Sequence, residues 1–161
     1  MKRCYKLFRI KNGQLYPLYV LANEPIPVGV WLEAKEGIKA SDGKHVKSRL
    51  GNLSYRPGFH CSDYPVATHI GSKKDKTDIK PSFRPKNQVW AECEIKTDIH
   101  YTDYKSLREV PKNGYYRFKT NANMYGNWLI AGNMKVNRIL TDKEVYEINS
   151  KTGVHDLPRE E

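Results

Sequence analysis

An Asn12-Gly13 pair stands between two β-prone runs, residues 5–10 and 14–20, and no other local signal narrows the fold as far. Both residues tolerate the positive φ that a two-residue hairpin turn requires, so the spacing predicts a β-hairpin at the start of the chain. Pro17 lacks an N–H to give to a ladder, which places its strand at an edge or confines the proline to a strand end.

The rest of the chain alternates short β-prone runs with polar, glycine- and proline-containing stretches. Residues 30–35 are expected to begin a short helix, and residues 35–56 to form a long basic surface loop. A turn at Pro57-Gly58 leads into a strand. Residues 62–70 carry a capping residue and a first-turn proline, Pro65, which predict a second short helix. A polar loop over 71–86 follows. Residues 89–95 alternate, with Val89, Ala91, Cys93 and Ile95 on one face and Trp90, Glu92 and Glu94 on the other. Further strands are predicted in residues 114–120, 128–131 and 135–140, the last two joined at Gly132-Asn133. The clearest helix is the last: Thr141-Asp142-Lys143-Glu144 has the form of a capping box, and Gly153 supplies a stop. The expected fold class is α+β, a mainly antiparallel sheet with a C-terminal helix and one or two short helices. Residues 1–153 are expected to make one domain, with 154–161 fraying as an unattached tail.

Hydrophobic residues make up only 39% of the 161, but 11 Tyr, 4 Phe and 3 Trp supply more aromatic mass than a disordered chain carries. No apolar run approaches the roughly 20 residues that span a bilayer, and no membrane partner is expected. The three cysteines, Cys4, Cys61 and Cys93, are odd in number and lack C-x-x-C spacing. With no export signal in view, they are expected to be reduced thiols of a cytoplasmic protein.

Charge is the strongest compositional signal, with 28 Lys and Arg against 18 Asp and Glu. Residues 1–60 hold 11 basic and 4 acidic side chains, whereas residues 140–161 hold 3 and 6. A lopsided excess suits one adhesive face for a phosphate-bearing partner or an acidic protein surface. The plainer alternative is a solubilising surface. The basic candidates are Lys35, Lys39, Lys44, Lys47, Arg49 and Arg56. A second group, Tyr115, Arg117 and Lys119, shares one face of a predicted strand in the aromatic-plus-basic pattern of single-stranded nucleic-acid binders, leaving Tyr116 and Phe118 for the core.

Other constellations have ordinary explanations beside the chemical ones. His60, Cys61 and His69 lie close in sequence but lack the paired spacing of a zinc site, so no metal is expected. His60 and Cys61, adjacent on a strand, point to opposite faces and make a poor base–nucleophile pair. Glu92 and Glu94 share a strand face, where paired carboxylates can act as a base or simply pair with lysines.

The order of several motifs resembles a family of small proteins of tailed phages, prophages and conjugative elements, also found as a module of phage polyvalent proteins. The matching residues are 7–9, 17–18, 28–34, 56–60, 65–70, 89–94, 114–117, 128–132 and 134–136. The resemblance implies a mobile-element origin and action in the cytoplasm of a bacterial host. A fainter resemblance, to the ADP-ribosyltransferase fold, implies NAD as cofactor. In that reading Arg9 holds the cofactor, His60 and Ser62 belong to the Gly-aromatic strand 58–62, and Glu92 or Glu94 stabilises positive charge developing at the ribose.

Three functions are therefore expected in order. The first is a cofactor-free accessory protein whose basic surface contacts nucleic acid or an acidic host complex that handles nucleic acid. The second is an NAD-dependent ADP-ribosyltransferase, active or degenerate. The third is a structural component of the phage particle.

Overall fold

Eleven strands and one helix make up the fold in the computed structural model, which describes residues 1–54, 56–102, 108–118 and 124–161. The predicted hairpin is present. Asn12 and Gly13 adopt φ of 52° and 76° and connect β1 (Lys2–Lys11) to β2 (Gln14–Tyr16), with Lys11 opposite Gln14. The positive φ at both turn positions matches the right-handed twist of the strands.

The remaining strands are β3 (Trp31–Glu33), β4 (His45–Ser48), β5 (Gly51–Ser54), β6 (Phe59–Ser62), β7 (Gln88–Ile95), β8 (Ile99–His100), β9 (Gly114–Arg117), β10 (Trp128–Ala131) and β11 (Asn133–Ile139). Nine of them form one sheet in the order β3-β11-β7-β1-β6-β10-β9-β8, with β2 also on β1; β4 and β5 pair separately. All pairings are antiparallel except β8 with β9.

Only Gly132 separates β10 from β11, yet β10 pairs with β6 and β9 while β11 pairs with β7 and β3. The chain thus bends at Gly132 and passes from one half of the sheet to the other, the sheet itself running from β3 at one end to β8 at the other. The corner requires glycine, since a Cβ at Gly132 would collide with the Pro111 carbonyl.

Period-2 alternation gives this sheet two apolar faces. On one face pack Cys4, Phe8, Cys61, Ala91, Cys93, Ile95, Leu129, Met134 and Val136. On the other, Tyr5, Leu7, Trp90 and Trp128 pack with Val145 of the helix α1 (Asp142–Asn149) and with Ala67. The predicted capping box closes α1: the Glu144 N–H donates to Thr141 Oγ1 (3.2 Å) and the Thr141 N–H to Glu144 Oε1 (3.1 Å). The architecture is α+β and mainly antiparallel, with a C-terminal helix.

Three local expectations require correction. Residues 31–33 are strand, not helix, because Trp31, Leu32 and Glu33 pair with β11 and the Ala34 N–H reaches the Gly132 carbonyl. Residues 62–70 turn without forming a helix, since tertiary partners take up their backbone groups. Asn149 donates to the Pro65 carbonyl, Asp156 accepts from the Ala67 N–H, and Arg84 donates to the Ala67 and Ile70 carbonyls. Residues 154–161 do not fray. Their Asp156 is buried against Arg84, and the Arg84 N–H and carbonyl bond to Pro158 and Glu160. Among the described residues, no helix is long and apolar enough to cross a membrane.

Candidate nucleic-acid interface

The basic stretch expected as a loop is partly ordered as the hairpin β4–β5. A strand-like flank joins it, with the Lys47 N–H donating to the Ile38 carbonyl and the Ala40 N–H to the His45 carbonyl. Asp42-Gly43 forms the connecting turn. The Asp42 carboxylate accepts the backbone N–H groups of Lys44 (2.8 Å) and His45 (3.0 Å) and contacts the His45 ring at 2.5 Å. Those bonds hold its pKa down at about 2. The hairpin's acid is therefore turned back on its own backbone.

Lys39, Lys44, Lys47 and Arg49 are all exposed. Lys44 and Lys47 make no ion pair among the described residues. Arg49 donates one N–H to the Leu18 carbonyl (3.1 Å), and the next residue, Leu50, is exposed. Val46 is buried beneath and anchors the hairpin.

The other nominated cations are engaged within the protein. Lys35 pairs with Glu24 at 3.1 Å, and Arg56 lies 4.8 Å over the Phe118 ring. Arg117 pairs with Asp63 at 3.0 Å. Tyr115 is stacked on His100, with centroids 4.7 Å apart and planes 3° from parallel. Lys119 lies outside the described residues. Tyr115 and Arg117 are thus each committed to an internal partner, whereas the hairpin presents cations outward.

The residues nominated for NAD chemistry are distributed along the sheet. On β1, Tyr5 pairs with Ser62 on one side and with Glu92 on the other, which aligns Ser62 and Glu92 in one cross-strand row. Arg9 stands four residues farther along β1, roughly 13 Å at strand rise. Its guanidinium donates to the carbonyls of Pro17 (3.1 Å) and Ala22 and so holds the 17–22 segment. Glu92 is flanked by Arg3 at 3.6 Å and Arg138 at 3.8 Å, and Glu94 by Lys135 at 3.7 Å. The Asn137 amide, placed by a bulge in β11, donates to both carboxylates. The Ser62 hydroxyl is buried and accepts the Tyr64 N–H.

His60 donates from Nε2 to the Arg56 carbonyl, and burial together with the nearby Lys6 ammonium lowers its pKa to about 4. Cys61 points into the inner core while His69 packs edge-on to Trp128, so these two candidates face different clusters. A cleft of about 440 Å³ is lined by Ala34, Glu36, Tyr101, Glu109, Val110 and Lys112, none of them a candidate site residue from the sequence. Sequence reading also missed that β1, β6 and β7 bring Cys4, Cys61 and Cys93 together, with Cys4 directly opposite Cys93. Only the strand order carries that signal.

Comparison with protein-family models, curated proteins and solved structures returns no match.

Proposed function

We propose that this protein acts by binding, as an accessory protein of a phage or other mobile element, and that its basic hairpin contacts the phosphates of nucleic acid in the bacterial host. One observation carries the reading. Lys44 and Lys47 project from an ordered hairpin without an ion pair among the described residues, while the hairpin's only carboxylate is bonded to its own backbone. A surface evolved merely for solubility has no need to tie up its acid with its own backbone while leaving its ammoniums unpaired on one small element. Phosphate contact gains most where the ammoniums are not already neutralised.

Fluorescence anisotropy with a duplex of roughly 20 base pairs tests it over a series of salt concentrations. Log K should fall linearly with log salt, with a slope of roughly 0.9 per phosphate contacted. A K44Q/K47Q/R49Q variant should lower that slope by about 2 to 3 at unchanged melting temperature. Absence of duplex and single-strand binding at low salt would sink the nucleic-acid reading and leave an acidic protein as the partner.

A further inference from the structure

We infer that the loop between Gly71 and Arg84 is a second contact on duplex nucleic acid, in which Ile79 enters the minor groove as an aliphatic wedge and the surrounding lysines hold phosphates. The inference rests on the nucleic-acid reading above and specifies the form of its partner.

The loop is closed at its base and braced at its tip. The Ser72 N–H donates to the Phe83 carbonyl (2.8 Å), and the N–H groups of Ser82 and Phe83 return to Ser72 (2.8 and 3.1 Å). At the tip, Asp75 Oδ1 accepts from both the N–H and the hydroxyl of Thr77 (3.0 Å each), and Asp78 Oδ2 accepts the Asp75 N–H (3.0 Å). Immediately after the loop, Arg84 is buried in its ion pair with Asp156. A loop held this way needs little further ordering when it meets a partner.

Both acids of the tip serve its own backbone. Lys73, Lys74, Lys76 and Lys80 are exposed and make no ion pair among the described residues. Between them stands Ile79, 93% exposed, more than any other large apolar side chain among the described residues. The pattern repeats on the hairpin, where Leu50 is 66% exposed beside Arg49. The two protrusions are rooted near each other. The Tyr19 carbonyl accepts the Arg49 N–H at 3.2 Å, and the Tyr19 phenol lies within electrostatic reach of both Arg49 and Arg84.

The chemistry of the tip selects the form of nucleic acid. Single-strand binders stack bases on aromatic rings, and residues 71–82 contain none. A branched aliphatic side chain with flanking cations is instead the equipment of proteins that part a base step from the minor groove and bend the duplex.

The test uses the full chain and a duplex of roughly 20 base pairs carrying a fluorophore at each end, so that affinity and bending are read together. Relative to the unsubstituted protein, I79S should bind roughly tenfold more weakly, keep its salt slope, and lose the end-to-end shortening. K73Q/K74Q/K76Q/K80Q should lower the salt slope by about 2 to 4. Both variants alter exposed side chains, and unchanged melting temperatures verify that the fold is intact. If both variants bind and bend like the parent while K44Q/K47Q/R49Q weakens, the loop inference is overturned and the hairpin reading stands. If the parent binds no nucleic acid, both fall. Binding to poly(dT) as tight as to duplex and indifferent to I79S also overturns it. So does Ile79-dependent capture by phosphatidylcholine vesicles with 30% phosphatidylserine in the absence of duplex bending.

Discussion

Arg84 and Asp156, 72 residues apart in sequence, form a two-pronged ion pair in the interior, Nε to Oδ2 at 3.1 Å and Nη2 to Oδ1 at 2.7 Å. The Trp90 indole N–H and the Ala67 N–H complete the carboxylate's partners, and Gln88 and two backbone carbonyls complete those of the guanidinium. One pair thereby ties the C-terminal segment, the 64–70 turn and the root of the 72–83 loop to β7.

Removing either partner leaves the other charge buried. D156N or R84M should therefore cost about 3–5 kcal/mol in denaturant unfolding, and deleting residues 154–161 should cost a comparable amount. A frayed tail would make the deletion neutral, and that result would refute the docked arrangement.

Stability should fall with acid before the carboxylates titrate. His60 has a folded-state pKa of about 4, below its ordinary value of 6.5, so protonation favours the unfolded chain. Its contribution is complete above about pH 6.5 and is lost progressively as pH falls toward 4, amounting to up to about 3 kcal/mol. Burial and Arg84 shift His69 in the same direction. Unfolding free energies measured across this window should show a shallower pH slope for H60Q; an unchanged slope would exclude His60 as the source.

Arg9 is expected to act on structure through the 17–22 segment it holds. R9M should expose that segment to limited proteolysis and lower the melting temperature, whereas an Arg9 held for a ligand would leave the free protein's cleavage pattern unaltered.

The three thiols should be inert in the native state. All are fully buried, and burial raises the Cys93 thiol well above its ordinary pKa. A thiol-reactive chromophore should label none of them within minutes in buffer and all three in denaturant. Rapid labelling of any one would show that the inner core opens.

Features legible in the amino-acid order were those whose physics is contained within a few residues. The Asn12-Gly13 turn needs only two positive φ angles, the Thr141–Glu144 box only one helical turn, and the facing of Ala91, Cys93 and Ile95 only the period of a strand. The same amino-acid order also located the basic excess in residues 1–60. Elements misread from sequence were those whose backbone groups are satisfied from far away. Residues 31–33 became strand because β11 was there to pair with, and residues 64–70 stayed non-helical because Arg84, Asn149 and Asp156 took their polar groups. The pairing of β6 with β10 and of β7 with β11 on either side of Gly132, and docking of the tail, likewise join residues remote in sequence, which local propensity does not encode. The candidate site divides the same way. Composition counted the cations, but only the folded chain neutralised Lys35 and Arg117 with carboxylates while leaving Lys44, Lys47 and the 73–80 lysines without one among the described residues, because ion pairing depends on distance in space.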